Sequence, residues 1–151
     1  KSIVDVMKER NIPPYTGESL AVSSLLLADR DTVPARAAMA AAAPGDLRLP
    51  SDRPLRVYAE IYGLTGARGM SRYDVEYTVE PVRAGAASPL GGPRRTSFRF
   101  RREQPARSVI IESLVIDPGR LPPGRYSLRL VVADALAKAR SASAPLEFEL
   151  R

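Results

Sequence analysis

The stretch YDVEYTVEPV, residues 73–82, decides the fold class because its side chains alternate between apolar and polar at every second position. The residues on one face are apolar or aromatic, and they are Tyr73, Val75, Tyr77 and Val79. The residues on the other face are polar, and they are Asp74, Glu76, Thr78 and Glu80. An extended chain places successive side chains on opposite faces. The stretch therefore predicts a β-strand that is buried on one face only.

The same alternation recurs on both sides of this stretch. Further strands are predicted at residues 55–62, 96–102, 107–116, 125–133 and 146–150, and, upstream, at residues 19–28 and 47–49. Glycine, proline, aspartate and serine are concentrated between the downstream runs, as is typical of turns and loops. Residues 107–116 are apolar on both faces around Val109, Ile110 and Ile111, which favours a central position in a sheet.

Seven or eight short strands that follow one another without intervening helices indicate an antiparallel sandwich rather than a parallel α/β sheet. We therefore predict an all-β sandwich of the immunoglobulin or fibronectin-III kind. Residues 19–151 are assigned to this domain, which is long enough to bury a core of its own. The alanine-rich residues 35–43 lie between two prolines and predict a loop or one helical turn. Residues 1–18 are predicted to be an N-terminal arm or a short helix.

The run LPPGRYSLRLVVAD, residues 121–134, strengthens the sandwich prediction. Pro123 and Gly124 form a turn that enters a strand through Tyr126. This pattern resembles the tyrosine corner of immunoglobulin-like folds, in which the tyrosine hydroxyl bonds to backbone near the preceding corner. The three residues are therefore predicted to have a structural role.

The chain contains neither cysteine nor histidine. Their absence excludes disulfides, thiol nucleophiles, Ser-His-Asp and Cys-His arrangements, and the common types of zinc site. Phosphate-cradling glycine motifs are also absent from the sequence. We predict no catalytic residue, no cofactor and no metal, and we expect that the protein is not an enzyme.

The densest basic patch of this chain, whose net charge is +6, is a candidate interaction surface and consists of Arg94, Arg95, Arg99, Arg101 and Arg102. The apolar residues of the arm are further candidates, namely Ile3, Val6 and Met7, which stand at helical spacing. Phe98 and Phe100 alternate with the arginines, so their rings should point into the core and not form a base-stacking platform. An acidic protein or an anionic surface is therefore favoured over nucleic acid as the partner.

Three stretches read together resemble the β-sandwich portion of bacterial GWxTD-domain proteins. They are LAVSSLLLAD at residues 20–29, PLRVYAEIYGL at 54–64 followed by YDVEYTVEPV, and LPPGRYSLRLVVAD. The resemblance spans residues 19–150, but the chain has no tryptophan, so the motif that names the family is absent. It implies a bacterial cell-envelope protein, exported or membrane-tethered, with no catalytic residues to carry over.

These observations favour a non-catalytic interaction or scaffold module of the bacterial cell envelope. We expect an accessory or stabilising subunit of a larger membrane-associated assembly, of respiratory, photosynthetic or secretion type, with other envelope or membrane proteins as partners. A carbohydrate-binding or lectin-like module is the alternative, and a basic nucleic-acid-binding protein is a weaker one. No apolar run approaches the length of a membrane helix. A periplasmic or envelope location is predicted, and a cytoplasmic one is compatible with the sequence.

Overall fold

The computed structural model describes residues 19–82 and 95–151, which contain ten β-strands, one α-helix and one short 3-10 helix. The strands in chain order are β1 (Ala21–Val22), β2 (Leu26–Asp29), β3 (Arg48–Leu49), β4 (Leu55–Tyr62), β5 (Met70–Pro81), β6 (Thr96–Pro105), β7 (Val109–Ile116), β8 (Gly124–Asp134), β9 (Arg140–Ala142) and β10 (Leu146–Leu150). Helix α1 (Arg36–Ala42) follows β2, and the 3-10 helix (Pro118–Arg120) follows β7.

The strands form two sheets. In the first sheet, β4 is central, with β1 and β2 along one side and β7 along the other. The second sheet has the order β3-β10-β8-β5-β6. Strand β9 also pairs with β8, beyond the residues of β8 that pair with β10. Every strand pair is antiparallel except β3 with β10. The predicted all-β fold is confirmed.

One hydrophobic core lies between the two sheets, which makes the fold a sandwich. The first sheet contributes the inward side chains Leu27, Val57, Ile61 and Ile110, and the second contributes Tyr77, Val79, Leu128, Leu130 and Phe148. Each of these strands buries every second residue, as the alternation in the sequence predicts. Burial of this apolar surface is the main force that holds the sheets together.

Strand β7 lies at an edge, so the prediction that residues 107–116 are central is wrong. Among the described residues it pairs with β4 alone. Its outward side chains are exposed, with 38% for Val109, 45% for Ile111 and 43% for Val115. The apolar character of both faces therefore has two causes: the inner face packs on the core, and the outer face is an uncovered apolar surface.

The predicted strand at residues 19–28 is divided into β1 and β2. At the break, the Ser23 amide donates to the carbonyl of Glu60 at 2.9 Å, while the Ser23 hydroxyl accepts from the Glu60 amide at 2.8 Å. The serine side chain thus replaces one backbone acceptor of the ladder, which lets the chain bend without leaving the Glu60 amide unpaired.

Residues 35–43 are predicted to be a loop or one helical turn, and helix α1 in this segment is longer than one turn. It spans seven residues, and its Met39 is completely buried against Ala28 and Tyr58 on the outer face of the first sheet. This packing stabilises a helix that is too short to be stable alone. Strand β9 forms inside a segment that the sequence predicts as loop. No helix within residues 19–82 or 95–151 combines the length and apolarity that spanning a bilayer requires.

Candidate interaction surface

The outer face of the second sheet carries a row of arginines, each paired with a carboxylate on the neighbouring strand. The Nε of Arg99 lies 2.6 Å from Glu76, and the Nε of Arg101 lies 3.0 Å from Asp74. These residues are direct cross-strand neighbours of β6 and β5. Arg95, just before β6, pairs in the same way with Glu80 at 3.1 Å. We call these three arginines the paired row.

Arg102 lies on the opposite face of β6 from the paired row and is therefore not part of that surface. It shares the inner face with Phe98 and Phe100, and its guanidinium stands 4.9 Å from the Phe100 ring centroid. Its Nη2 donates to Oε1 of Glu112 at 2.9 Å. The sequence grouped Arg102 with its arginine neighbours because they are adjacent, but the two-residue period of β6 turns its side chain inward.

A groove of about 610 Å³ runs along the outer face of the second sheet. Its lining comes from β5, β8, β9 and nearby residues and includes Glu76, Thr78, Glu80, Arg95, Ser127, Arg129, Val131 and Arg140. A second groove of about 420 Å³ shares Glu76, Val131 and Arg140 with the first and adds Asp74, Arg99 and Arg101. The two therefore form one continuous polar surface, which we call the sheet groove.

Two arginines of the sheet groove differ from the paired row. Arg129 on β8 and Arg140 on β9 form no ion pair with any carboxylate of the described residues. The sheet groove contains five arginines, namely Arg95, Arg99, Arg101, Arg129 and Arg140, and three carboxylates, namely Asp74, Glu76 and Glu80. It therefore has an excess of two positive charges, and the excess comes from the two unpaired guanidinium groups.

A second polar cluster, which sequence reasoning missed, lies inside the sandwich around Glu112 of β7. Glu112 is only 1% exposed. Its Oε1 accepts from the Tyr77 hydroxyl at 2.9 Å and from Arg102, and its Oε2 accepts from the Tyr73 hydroxyl at 3.1 Å. Gln104 in turn donates to the Tyr73 hydroxyl at 2.8 Å. Both carboxylate oxygens thus have donors, and the cluster joins the two sheets.

Burial raises the pKa of Tyr73 and Tyr77 well above the usual tyrosine range, and the charge of Glu112 raises both further. Both hydroxyls therefore stay protonated and remain donors. A sequence signal for this cluster exists, because Glu112 interrupts an apolar strand and shares its inward phase with Ile110. Arg102 is likewise in phase with two phenylalanines.

The tyrosine corner is present in the structure. The Tyr126 hydroxyl donates to the carbonyl oxygen of Pro122, which is the hydrogen bond that the sequence predicts. The Tyr126 ring stacks on Phe148 with a centroid distance of 5.8 Å. Gly124, at the start of β8, has a φ of +153°. These contacts join Tyr126 to the turn before β8 and to β10.

The aromatic side chains of residues 19–82 and 95–151 are all buried or half-buried. Tyr58 is 2% exposed beneath α1, and burial together with Glu60 raises its pKa to about 12. Phe98 and Phe100 pack against the core. The described surface thus presents no aromatic platform of the kind that stacks on a sugar or a base.

The remaining candidates, Arg94 and the arm residues Ile3, Val6 and Met7, lie outside the described residues. Comparison with known proteins found no family model that matches the chain, and a search of curated proteins found no match.

Proposed function

We propose that the protein is a non-catalytic interaction module whose sheet groove binds an acidic segment of a partner protein. The observation that carries this proposal is the position of Arg129 and Arg140. Both line a groove in which the other three arginines are paired, and neither has a carboxylate partner among the described residues.

The chemistry of the guanidinium group supports this partner class. Arginine presents a planar fork of donors that matches a carboxylate in two-point contact. The three arginines of the paired row already have carboxylate partners, so Arg129 and Arg140 are the groups of the sheet groove available for an incoming carboxylate. A groove also suits a protein segment better than a flat lipid surface, because a bilayer reaches only the rim of a concave site.

The architecture supports an immunoglobulin-like identity for the module. In the assignment that we propose, β1 with β2 is strand A of the immunoglobulin fold, β4 is strand B and β7 is strand E. In the second sheet, β5 is strand C, β6 is C′, β8 is F, and β9 with β10 is G. Rigid sandwiches of this kind serve as scaffolds for recognition surfaces.

The location and the assembly rest on the resemblance to GWxTD-domain proteins. We propose an exported protein of the bacterial cell envelope, acting as an accessory or stabilising subunit of a larger assembly. Fractionation of the source bacterium tests this location, and recovery of the protein only in the cytoplasm would contradict it.

An NMR titration tests the groove. A peptide made only of glutamate is added to the labelled protein, with a glutamine peptide of equal length as the uncharged control. We expect shifts of the amides around Arg129 and Arg140 with the first peptide alone, and weaker binding as salt is raised. In the double variant Arg129→Ala, Arg140→Ala, we expect affinity to fall about tenfold or more.

The double variant Arg48→Ala, Arg125→Ala is the matched control. Both residues belong to the second sheet, but each already pairs with a carboxylate, Arg48 with Glu149 and Arg125 with Glu147. An equal loss of binding in the two double variants would contradict the proposal. Binding to anionic vesicles that exceeds binding to the glutamate peptide would assign the surface to lipid instead.

A further inference from the structure

The sandwich has four sheet edges within the described residues, and three of them are guarded against pairing. The edge of the second sheet formed by β3 and β9 is made of strands of only two and three residues. The edge of the first sheet formed by β1 and β2 is interrupted by the bend at Ser23. Strand β6 is long but carries charged outward side chains, namely Arg99, Arg101 and Glu103. Short strands, bends and charges are the usual means by which proteins keep edges from pairing.

Strand β7 is the fourth edge and is neither short nor bent, and its one charged side chain, Glu112, points inward and pairs with Arg102. It is a continuous strand of eight residues. Its outward side chains are uncharged and mostly apolar, and they are Val109, Ile111, Ser113 and Val115. A long, apolar and unguarded edge is a template for another strand.

The backbone of β7 is aligned for such pairing. Glu60 of β4 directs its amide and carbonyl toward Ser23, away from β7. Its cross-strand neighbour Ile111 must therefore direct its own backbone groups away from β4, because these orientations alternate in antiparallel pairs. Ser113 and Val115 follow at two-residue steps. Among the backbone groups of these three residues, only the Ile111 carbonyl has a partner within the described part of the chain, the Gln104 side chain at 3.3 Å. The Ser113 hydroxyl accepts a hydrogen bond from Nη1 of Arg56 at 2.8 Å.

From this edge we infer that two copies of the chain pair through β7, antiparallel, about a two-fold axis at Ser113. In this register, Ile111 of one copy faces Val115 of the other on the outer face, and the two Ser113 residues face each other. Strand β7 is complementary to itself in this arrangement, as a two-fold interface requires. The two first sheets then form one continuous sheet.

The charge of Glu112 favours the pairing centred on Ser113 over the pairing centred one residue earlier. A pairing centred one residue earlier would place Glu112 of one copy opposite Glu112 of the other, and like charges directly opposite each other are destabilising. Centring on Ser113 instead places Glu112 opposite Leu114. Each Glu112 also remains bound to Arg102 of its own sandwich. Because a single strand pair buries little surface, we expect a weak dimer that forms with rising concentration.

Sedimentation of the whole chain tests the association. Between about 10 µM and 1 mM, we expect the mass to rise from 16.4 kDa toward twice that value. Ile111→Lys supplies the missing guard at an exposed position and should weaken dimerisation about tenfold or more. A protein that stays monomeric across this range, or an unchanged dimer in Ile111→Lys, would overturn the inference.

A cross-link tests the axis. The chain has no cysteine, so Ser113→Cys introduces a single thiol. Hydrogen-bonded antiparallel neighbours lie about 5.5 Å apart at Cα, within the range that a disulfide spans. We expect rapid dimer formation under oxidation, and much slower formation for the control Ser97→Cys on the guarded edge β6. Equal rates would place the axis elsewhere and overturn the inference.

Hydrogen exchange of the β7 amides tests whether a second copy or another segment of the chain pairs with this edge. If the wild type is monomeric but the amides of Ile111, Ser113 and Val115 are protected, another segment of the same chain covers the edge, and the inference fails. Circular dichroism checks that the variants fold. If Ser113→Cys does not fold, sedimentation of the wild type and of Ile111→Lys still decides the outcome.

Discussion

At the scale of single residues, Glu112 connects the two sheets through a buried charge. Its carboxylate accepts hydrogen bonds from Tyr73, Tyr77 and Arg102, all of which belong to the second sheet, whereas Glu112 belongs to the first. A buried pair of this kind contributes little compared with an apolar replacement, but removal of one partner leaves the other charge and its donors unsatisfied.

We therefore predict that Glu112→Ala lowers the free energy of unfolding by about 3–5 kcal/mol. Urea denaturation measures this change. The control is Glu103→Ala, which breaks an exposed ion pair with Arg72 and should cost less than about 1 kcal/mol. Equal losses of unfolding free energy in the two variants would show that the buried cluster stabilises the fold no more than an exposed ion pair does.

Substitution of Tyr126 measures the contribution of the corner hydrogen bond alone. Tyr126→Phe keeps the stacked ring but removes the hydroxyl that donates to Pro122. The loss of one hydrogen bond should lower the free energy of unfolding by about 1 kcal/mol. An unchanged denaturation midpoint would mean that the corner hydrogen bond is not stabilising.

Asp134, at the end of β8, gives the protein a pH dependence. Burial raises the pKa of its carboxyl, but hydrogen bonds from the amides of Thr65, Leu136 and Ala137 outweigh burial, so the pKa lies below the ordinary value of 3.8. Because the folded pKa is depressed, the stabilisation is fully present above pH 3.8 and is lost as the pH falls through the folded pKa. As the pH falls, the Asp134 carboxylate of the unfolded chain is protonated at a higher pH than that of the folded chain.

We predict that Asp134→Asn is less stable than the wild type near neutral pH and that this difference shrinks as the pH falls below 3.8. Urea denaturation at a series of pH values measures both. A difference in stability that stays constant with pH would show that the Asp134 carboxylate is not responsible.

At the scale of elements, Gly63 fixes how the chain enters the first sheet. It follows β4 with a φ of +73°, and a Cβ at this position would lie 2.2 Å from the carbonyl oxygen of Ser19. Ser19 precedes β1, which pairs with the end of β4. The close approach of the two backbones therefore depends on the missing side chain.

We predict that Gly63→Ala lowers the free energy of unfolding by about 2 kcal/mol or more, because backbone strain and a steric clash act together. Gly69→Ala is the matched control. Its φ is +76°, but nothing lies within 4 Å of the added Cβ, so only the backbone strain remains. Thermal unfolding compares the two, and a larger loss in Gly69→Ala would contradict the role of the contact with Ser19.

At the scale of the whole molecule, the two proposed surfaces belong to different sheets. The sheet groove lies on the outer face of the second sheet, and β7 is an edge of the first. The lining of the sheet groove includes no residue of β7, so neither contact needs the other to form.

We predict that the two contacts are independent. Ile111→Lys should leave binding of the glutamate peptide unchanged, and Arg129→Ala with Arg140→Ala should leave the dimer mass unchanged. Titration of the first variant and sedimentation of the second measure this. A loss of peptide binding in Ile111→Lys would show that the dimer completes the groove.

The long alternating strands, and the face that each of them buries, could be predicted from the sequence, whereas the short strand β9 could not. Residues 55–62 and 73–82 show this, because the period of two is a local property of an extended chain. The corner at Tyr126 was also readable, since all of its parts lie within a few residues of one another.

Which strands are neighbours and which are edges became known from the folded structure alone. An apolar strand such as β7 reads alike whether its outer face is covered or free, because its partners come from distant parts of the chain. For the same reason, the sequence pattern placed Arg102 in the basic patch and indicated no role for Glu112, whereas the packing of the two sheets brings these side chains together. Alternation is set within a strand, but pairing depends on contacts between strands far apart in the sequence.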